Sequence, residues 1–99
     1  MNTIEEIDIS IDTELDTLLD RELSEVFQSS LVLYNDDTIT FDHVINCLIR
    51  YCRHVPLQAE QCAFIVHNNG KCEIKRGSIR ELKPIFDALL ENHLAVKIV

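Results

Sequence analysis

A short polar turn, Asn35-Asp36-Asp37, is the group of residues in this sequence best suited to binding chemistry. It follows an apolar stretch at residues 30–34 and brings three polar side chains, with their hydrogen-bonding groups, to one place. Asn and Asp are also frequent in turns and at the starts of helices, where they bond nearby backbone groups. The turn is therefore a candidate binding site whose residues also fit a purely structural role.

His67 is the second candidate, because it ends the apolar run at residues 63–66. A histidine at a helix end either contacts a ligand or stabilises the negative end of the helix dipole. Motifs for catalysis are missing from the sequence. Its two glycines, Gly70 and Gly77, are placed too far apart for a nucleotide-binding loop. Cys52 and His54 are too close in sequence to face each other as nucleophile and base on one helix. These observations predict a binding protein and not an enzyme.

Four cysteines are spread through the chain without a C-x-x-C pair: Cys47, Cys52, Cys62 and Cys72. Together with His43 and His54 they match none of the usual zinc-ligand spacings. The N-terminus has no basic segment followed by an apolar one, so neither export nor disulfide formation is indicated. We expect reduced thiols that pack as small apolar groups, with no metal and no cofactor.

Hydrophobic periodicity predicts the elements that hold these residues. Residues 30–34 have the pattern of a strand. Apolar residues then recur with helical spacing from Phe41 onward, with Thr40 as the N-cap. Pro56 fits the first position of a second helix, and Gly70 fits its left-handed C-terminal cap.

The last third of the chain adds two strands and a helix. Residues 71–76 alternate charged and apolar side chains as a strand does, and residues 94–99 form the closing strand. Ser78 and Glu81 fit the capping box of a third helix that runs to about residue 92, with Pro84 expected to disturb its first turns. The order β-α-α-β-α-β predicts an α+β two-layer sandwich, in which helices cover one face of a small three-stranded antiparallel sheet.

The net charge of −8 belongs to the N-terminal part of the chain. Residues 1–30 contain nine acidic residues and one basic residue, whereas residues 31–99 contain eight of each. This distribution disfavours nucleic acid and anionic membranes as partners, because both require a clustered basic surface. No apolar run reaches the length of about 20 residues that a membrane span needs. Without an export signal, we expect a cytoplasmic protein.

We divide the chain into an acidic extension, residues 1–29, and a domain, residues 30–99. Six apolar residues with helical spacing run through the extension from Leu15 to Phe27, opposite its acidic residues. Because like charges repel and short isolated helices are marginal, we expect the extension to be mobile on its own. It is either a docking or delivery segment or a solvated terminus, and both interpretations stay open at this point.

These residues together resemble the ClpS family, the adaptors that carry N-degron substrates to the ATP-dependent Clp protease. The resemblance covers residues 31–99 and rests on the polar turn after a strand and on short motifs at fixed distances from it. The motifs are Asn35-Asp36-Asp37, Phe41, Val44, Ala59-Glu60-Gln61, Val66-His67 and Gly70-Lys71. It implies an adaptor that binds the free N-terminus of proteins beginning with Phe, Tyr, Trp or Leu. Such an adaptor regulates proteolysis by delivering these substrates to an AAA+ Clp unfoldase of the ClpA or ClpC type.

The resemblance also implies roles for single residues. Asn35, Asp36 and His67 would bind the α-ammonium group of the substrate. The first side chain of the substrate would enter a hydrophobic pocket lined by Ile39, Phe41, Val44, Ala63, Val66 and Leu94. The surface presented to the unfoldase would include Glu81 and Lys83. The family commonly has Met at the positions of Phe41 and Ala63 and Thr at that of Ile39. Compared with that pattern, this pocket has a bulkier side chain at position 41 and a smaller one at position 63.

Three different functions compete with the adaptor hypothesis. The C-terminal domain of the ribosomal stalk protein has a similar fold, and fold alone does not fix function. A general protein-interaction module of this fold would need no free amine. The second competing function is a thiol- or metal-based sensor that uses the four cysteines. The third is a small enzyme, which the missing catalytic motifs disfavour.

Overall fold

A computed structural model describes residues 28–99 as one α+β unit, and the predicted element order is confirmed. The elements are β1 (Ser29–Tyr34), α1 (Phe41–Cys52), α2 (Pro56–Asn69), β2 (Lys71–Gly77), α3 (Ile79–Glu91) and β3 (Ala95–Ile98). The amphipathic stripe predicted between residues 15 and 27 lies outside the described residues. β1 begins at Ser29, the last residue that the sequence assigned to the extension.

The sheet has three antiparallel strands in the order β2-β1-β3, so the first strand of the domain lies in the centre. Leu31 and Leu33 of β1 point toward the helices and are almost fully buried. A β-bulge interrupts the β1–β2 register between Leu31 and Val32. Because a bulge adds a residue to one strand only, Ile74 and Lys75 fall between the partners of Val32 and Ser30.

The core lies between the sheet and the helices. Its most deeply buried side chains are leucines from every layer: Leu31, Leu33, Leu48, Leu82 and Leu89. Helices α1 and α3 each place an apolar stripe on this core and expose a polar face, as their helical periodicity predicts. Helix α2 buries the small residues Ala59, Cys62, Ala63 and Val66 and leaves Phe64 exposed. Among residues 28–99, no helix is long and apolar enough to cross a membrane.

Three predicted helix caps are confirmed. The Thr40 hydroxyl accepts a hydrogen bond from the backbone N–H of His43, 3.2 Å away, at the start of α1. Pro56 occupies the first turn of α2, where a missing N–H costs nothing. Gly70 ends α2 in the left-handed conformation, at φ 91°. These local rules fix where the connections around the polar turn begin and end.

Helix α3 starts with the predicted capping box and continues through Pro84. Ser78 accepts a bond from the backbone N–H of Glu81, and its hydroxyl donates to the Glu81 carboxylate at 3.0 Å. The proline therefore lies inside a regular helix instead of marking an irregular start. It cannot donate a backbone hydrogen bond, but Leu82 and Leu89, which are fully buried, anchor the helix on both sides of it.

Candidate functional site

A cavity of about 220 Å³ opens at one end of the sheet, where β1 ends and β3 begins. The nine residues that the sequence assigned to amine binding and to the hydrophobic pocket all line it: Asn35, Asp36, Ile39, Phe41, Val44, Ala63, Val66, His67 and Leu94. They come from the loop after β1, from α1 and α2, and from the residue before β3. The tertiary fold therefore brings together residues that are up to 59 positions apart.

The inner part of this cavity is apolar. Ala63, Val66 and Leu94 are buried, and Val44 is half-buried beside them. Apolar cavities of about 150 Å³ bind a benzene ring, so a cavity of this size accommodates an aromatic or a leucine side chain. Full burial of such a side chain contributes about 1.5–3 kcal/mol. The apolar walls therefore favour the binding of an apolar side chain and do not distinguish between polar groups.

The mouth of the cavity carries an ionised carboxylate. Asp36 Oδ1 accepts bonds from the Thr38 hydroxyl at 2.6 Å and from the Thr38 backbone N–H at 3.0 Å. These bonds, first the hydroxyl and then the backbone N–H, lower the pKa of Asp36 below its ordinary value. They engage one carboxylate oxygen and hold the side chain in a fixed position. The second oxygen can then accept a bond from a cationic donor.

Asn35 is held from two sides. Its side-chain amide donates from Nδ2 to Asp37 Oδ1 at 3.1 Å, which directs that nitrogen toward the turn and leaves Oδ1 as an acceptor. Its backbone N–H donates to the carbonyl of Gly70 at 2.9 Å. Since Gly70 in turn bonds Val66 from its own N–H, the polar turn is fastened directly to the end of α2.

His67 lies on the last turn of α2, exposed and beside the cavity. Its imidazole ring packs edge-on against Phe41, with ring centroids 5.3 Å apart. Phe41 also makes an edge contact with Phe64, at 6.1 Å. Phe41 and His67 line the cavity, and their contact restricts the orientation of the His67 ring. A neutral imidazole held in this way has one nitrogen that can accept a hydrogen bond.

Five further residues line the cavity that sequence reasoning did not assign to it: Leu33, Tyr34, Asp37, Thr40 and Ala95. Asp37 belongs to the polar turn that the sequence already marked, so its position in that turn was the available signal. Thr40 was recognised only as a helix cap. Leu33 and Ala95 gave no signal of their own, because their neighbours in space come from strands that are distant in sequence.

The two residues assigned to unfoldase contact lie on α3 and do not line the cavity. Glu81 takes part in the capping box. Lys83 Nζ forms an ion pair with Asp87 at 2.6 Å and lies 5.3 Å from the centre of the Phe86 ring. Their surface is therefore separate from the cavity, and its contact with an unfoldase stays a prediction.

The cysteines are free thiols inside the core layer, and Cys72 is the least buried. Burial raises the pKa of Cys52 to about 11 and that of Cys62 to about 12, and hydrogen bonding to Cys72 contributes to the second shift. These thiols therefore stay protonated near neutral pH, and a protonated thiol is a poor nucleophile. Among residues 28–99, no three His, Cys, Asp or Glu residues come together as a metal site.

Comparisons with known proteins identify the family of this chain. A family model described as ATP-dependent Clp protease adaptor protein ClpS matches residues 25–93. The ATP-dependent Clp protease adapter protein ClpS of Nitratidesulfovibrio vulgaris (strain DSM 19637 / Miyazaki F) is 32% identical over 74 residues, covering 73% of this chain and 72% of that protein. The chain thus belongs to the ClpS family of adaptors of the ATP-dependent Clp protease.

Proposed function

We propose that this adaptor binds the free N-terminus of proteins whose first residue is Phe, Tyr, Trp or Leu and delivers them to a Clp unfoldase. The proposal rests on one observation: three polar side chains lie at the mouth of one apolar cavity. An N-terminal residue has the same two parts in direct contact, an apolar side chain and an α-ammonium on the same carbon atom. Within a polypeptide chain, only the N-terminal residue carries both groups on one carbon atom.

The ammonium group carries three N–H donors and needs three acceptors in fixed positions. Asn35 Oδ1, the second carboxylate oxygen of Asp36 and a ring nitrogen of His67 supply them. The bonds from Asn35 to Asp37 and from Asp36 to Thr38 fix two of these groups before the substrate arrives. Prior positioning reduces the entropy that binding must overcome, so the affinity for a short peptide rises.

The decisive experiment compares pairs of peptides that differ only at the α-amine. A Phe-starting and a Leu-starting peptide, each free and N-acetylated, are titrated with the full chain and followed by fluorescence anisotropy. Hydrogen bonds to a charged group contribute about 1.5–3 kcal/mol each, so acetylation should weaken binding by about two orders of magnitude or more. A Ser-starting peptide serves as the control for the apolar part of the site.

Equal titrations for free and acetylated peptides would overturn the proposal. That result would favour the general interaction module, since such a protein binds an internal peptide segment as well as a terminus. Substituting Asp36→Asn should reproduce the effect of acetylation on the free peptide, because the amide keeps the shape of the side chain and removes its charge.

A further inference from the structure

Helix α2 exposes a phenylalanine directly beside the cavity. Phe64 is 64% exposed and does not belong to the cavity lining. Its ring makes an edge contact with Phe41, which does line the cavity. Single exposed apolar residues are common on protein surfaces, so exposure alone does not make Phe64 a binding residue. Its position next to the proposed site is the feature that gives it a role.

That position is defined relative to His67. The two residues are three positions apart on α2, so they are neighbours on one face of the helix, with Cβ atoms roughly 5–6 Å apart. Both rings contact Phe41 edge-on, with centroids 6.1 Å away for Phe64 and 5.3 Å away for His67. An exposed aromatic ring therefore lies beside the histidine that is proposed to bind the α-ammonium of the substrate.

The covalent structure of a peptide limits where its second residue can lie. When the first side chain fills the apolar cavity and the α-ammonium bonds the polar groups at the mouth, the rest of the chain leaves through that mouth. The second Cα is about 3.8 Å from the first, across one trans peptide bond. A long side chain on this second carbon atom therefore lies within reach of the rings that surround His67.

The two sides of the mouth differ in what they offer a second side chain. On the side of the polar turn, Asn35 bonds Asp37, and Asp36 bonds Thr38. On the side of α2, the exposed ring of Phe64 presents apolar surface. Covering this ring with a large apolar side chain is favourable, because it removes apolar surface of both partners from water.

We propose that Phe64 is a specificity-determining residue, whose exposed ring packs against the second residue of the substrate and favours a large apolar side chain there. The inference rests on the proposed function, since it takes the first residue to be seated in the cavity with its amine beside His67. It adds a preference that the cavity does not provide, because Phe64 lies outside the cavity lining.

Peptides that differ only at their second residue test the contact. One begins with Phe-Leu and the other with Phe-Ala, each is made free and N-acetylated, and all are titrated with the full chain by fluorescence anisotropy. We expect the free Phe-Leu peptide to bind the wild-type chain several-fold more tightly than the free Phe-Ala peptide. In Phe64→Ala this ratio should fall to about one, with the affinity for the Phe-Ala peptide unchanged, because alanine makes little contact with the ring.

Leu57→Ala is the matched control. Leu57 is also 64% exposed and lies two turns before Phe64 on the same helix, so its variant should keep the wild-type ratio. Equal affinity of the wild-type chain for the two free peptides would overturn the inference. An equal loss for both peptides in Phe64→Ala would overturn it as well, since Phe64 would then act by holding Phe41 and not by contacting the substrate.

The acetylated peptides separate the failure of this inference from the failure of the proposed function. If free peptides bind, acetylated ones do not, and the second residue makes no difference, the proposed function stands and the role of Phe64 falls. If acetylation makes no difference, the proposed function falls and the role of Phe64 falls with it.

Discussion

Asp36 stabilises the polar turn and also carries the negative charge that the proposed function uses. Its carboxylate closes the polar turn through Thr38 and, in the proposed function, faces the substrate ammonium with its other oxygen. A carboxylate that accepts two bonds from its own loop stays ionised at a lower pH than a free one. The polar turn therefore connects two elements and also holds a negative charge in a fixed position.

We expect Thr38→Val to raise the pKa of Asp36 toward its ordinary value of 3.8, because it removes the hydroxyl that lowers this pKa most. A lowered carboxyl pKa contributes stability that is present above the ordinary value and is lost as the pH falls through the lowered one. In the variant, acid should therefore protonate Asp36 at a higher pH than in the wild-type chain. A titration of the Asp36 carboxyl carbon by NMR measures this shift.

Thr38→Ser is the control for this prediction. It keeps both the hydroxyl and the backbone N–H, so the pKa of Asp36 should stay below its ordinary value. An unchanged titration in Thr38→Val would mean that the hydroxyl bond does not set the pKa. Peptide binding should follow the same order, with the loss at acid pH starting earliest in the valine variant.

Ala63 is the residue that we expect to set specificity, since it is one of two alanines in the cavity wall and, at 4% exposed, the more deeply buried of the two. Replacing Ala63 by Leu fills the cavity, and overpacking of this kind costs about 1–3 kcal/mol. Binding of Trp- and Phe-starting peptides should weaken by about tenfold or more. Leu-starting peptides, which need less space, should lose less.

Anisotropy titrations of the three peptides on the same protein give the order of preference. Ile65→Leu is a suitable control, because this neighbour on α2 is exposed and does not line the cavity. Equal losses for Trp- and Leu-starting peptides would contradict a role of Ala63 in discriminating size.

At the scale of elements, a backbone hydrogen bond joins the end of α2 to the polar turn. Gly70 caps the helix in the left-handed conformation, and its carbonyl receives the backbone N–H of Asn35. The same turn of the helix carries His67. One glycine therefore helps to hold two of the three proposed amine-binding residues.

Gly70→Ala should lower both stability and peptide affinity. No atom lies within 4 Å of the position of an added Cβ, so the cost is backbone strain at φ 91° and not a steric clash. For a residue with a Cβ, the left-handed conformation costs about 1–2 kcal/mol. Urea unfolding and an anisotropy titration of the same sample measure the two effects.

The matched variant is Arg53→Gly at the end of α1, where a non-glycine residue already has a φ of 58°. Relief of that strain should stabilise the chain by up to about 1 kcal/mol and leave peptide affinity unchanged. A loss of affinity in Gly70→Ala that merely follows its loss of stability, reversed by adding Arg53→Gly, would contradict a specific link between Gly70 and Asn35.

At this scale, the features that the sequence predicts are those that depend only on residues close together in the chain. The caps at Thr40, Gly70 and Ser78 follow from rules that involve only a few neighbouring residues, and helical spacing defined α1. The bond from Asn35 to Gly70 joins residues 35 positions apart, and nothing in the local pattern announces it. The site residues were found through resemblance, since each pattern alone also fitted a structural role.

Further long-range features escaped sequence reasoning for the same reason. The bulge beside Leu31 and the central position of β1 depend on pairing between distant strands. The sequence offers His54 only as a possible partner of the cysteines, yet its side chain is buried and its ring nitrogen Nε2 lies 2.7 Å from the carbonyl of Ile74. Pro84 appeared as a helix breaker, and the tertiary packing of Leu82 and Leu89 outweighs that preference.

At the scale of the whole molecule, the net charge and the proposed binding site lie in different parts of the chain. Residues 31–99 carry as many basic as acidic residues, and the proposed site uses groups held in place by short hydrogen bonds. The extension carries the entire net charge of −8. In the proposed function, the groups that bind the substrate lie in the neutral part of the chain, and the extension serves delivery.

Deleting residues 1–27 should leave the affinity for Phe- and Leu-starting peptides unchanged, because all the residues that line the cavity lie between positions 33 and 95. It should abolish delivery of the same substrates to a Clp unfoldase. The two measurements are an anisotropy titration and the degradation of a fluorescent substrate by the assembled protease. A large loss of affinity in the truncated chain would contradict a role of the extension in delivery alone.

The position of β1 also has a consequence for synthesis of the chain. Among the strands of residues 28–99, the one that emerges first from the ribosome is the central one, and its second neighbour, β3, ends only at Ile98. Pairing of strands so distant in sequence is slow, because the loop between them must close first. The sheet is therefore completed only after Ile98 has left the exit tunnel, and until then Leu31 and Leu33 have a neighbouring strand on one side at most. Until β3 has paired, a protein proposed to select substrates by an exposed apolar residue itself exposes apolar residues.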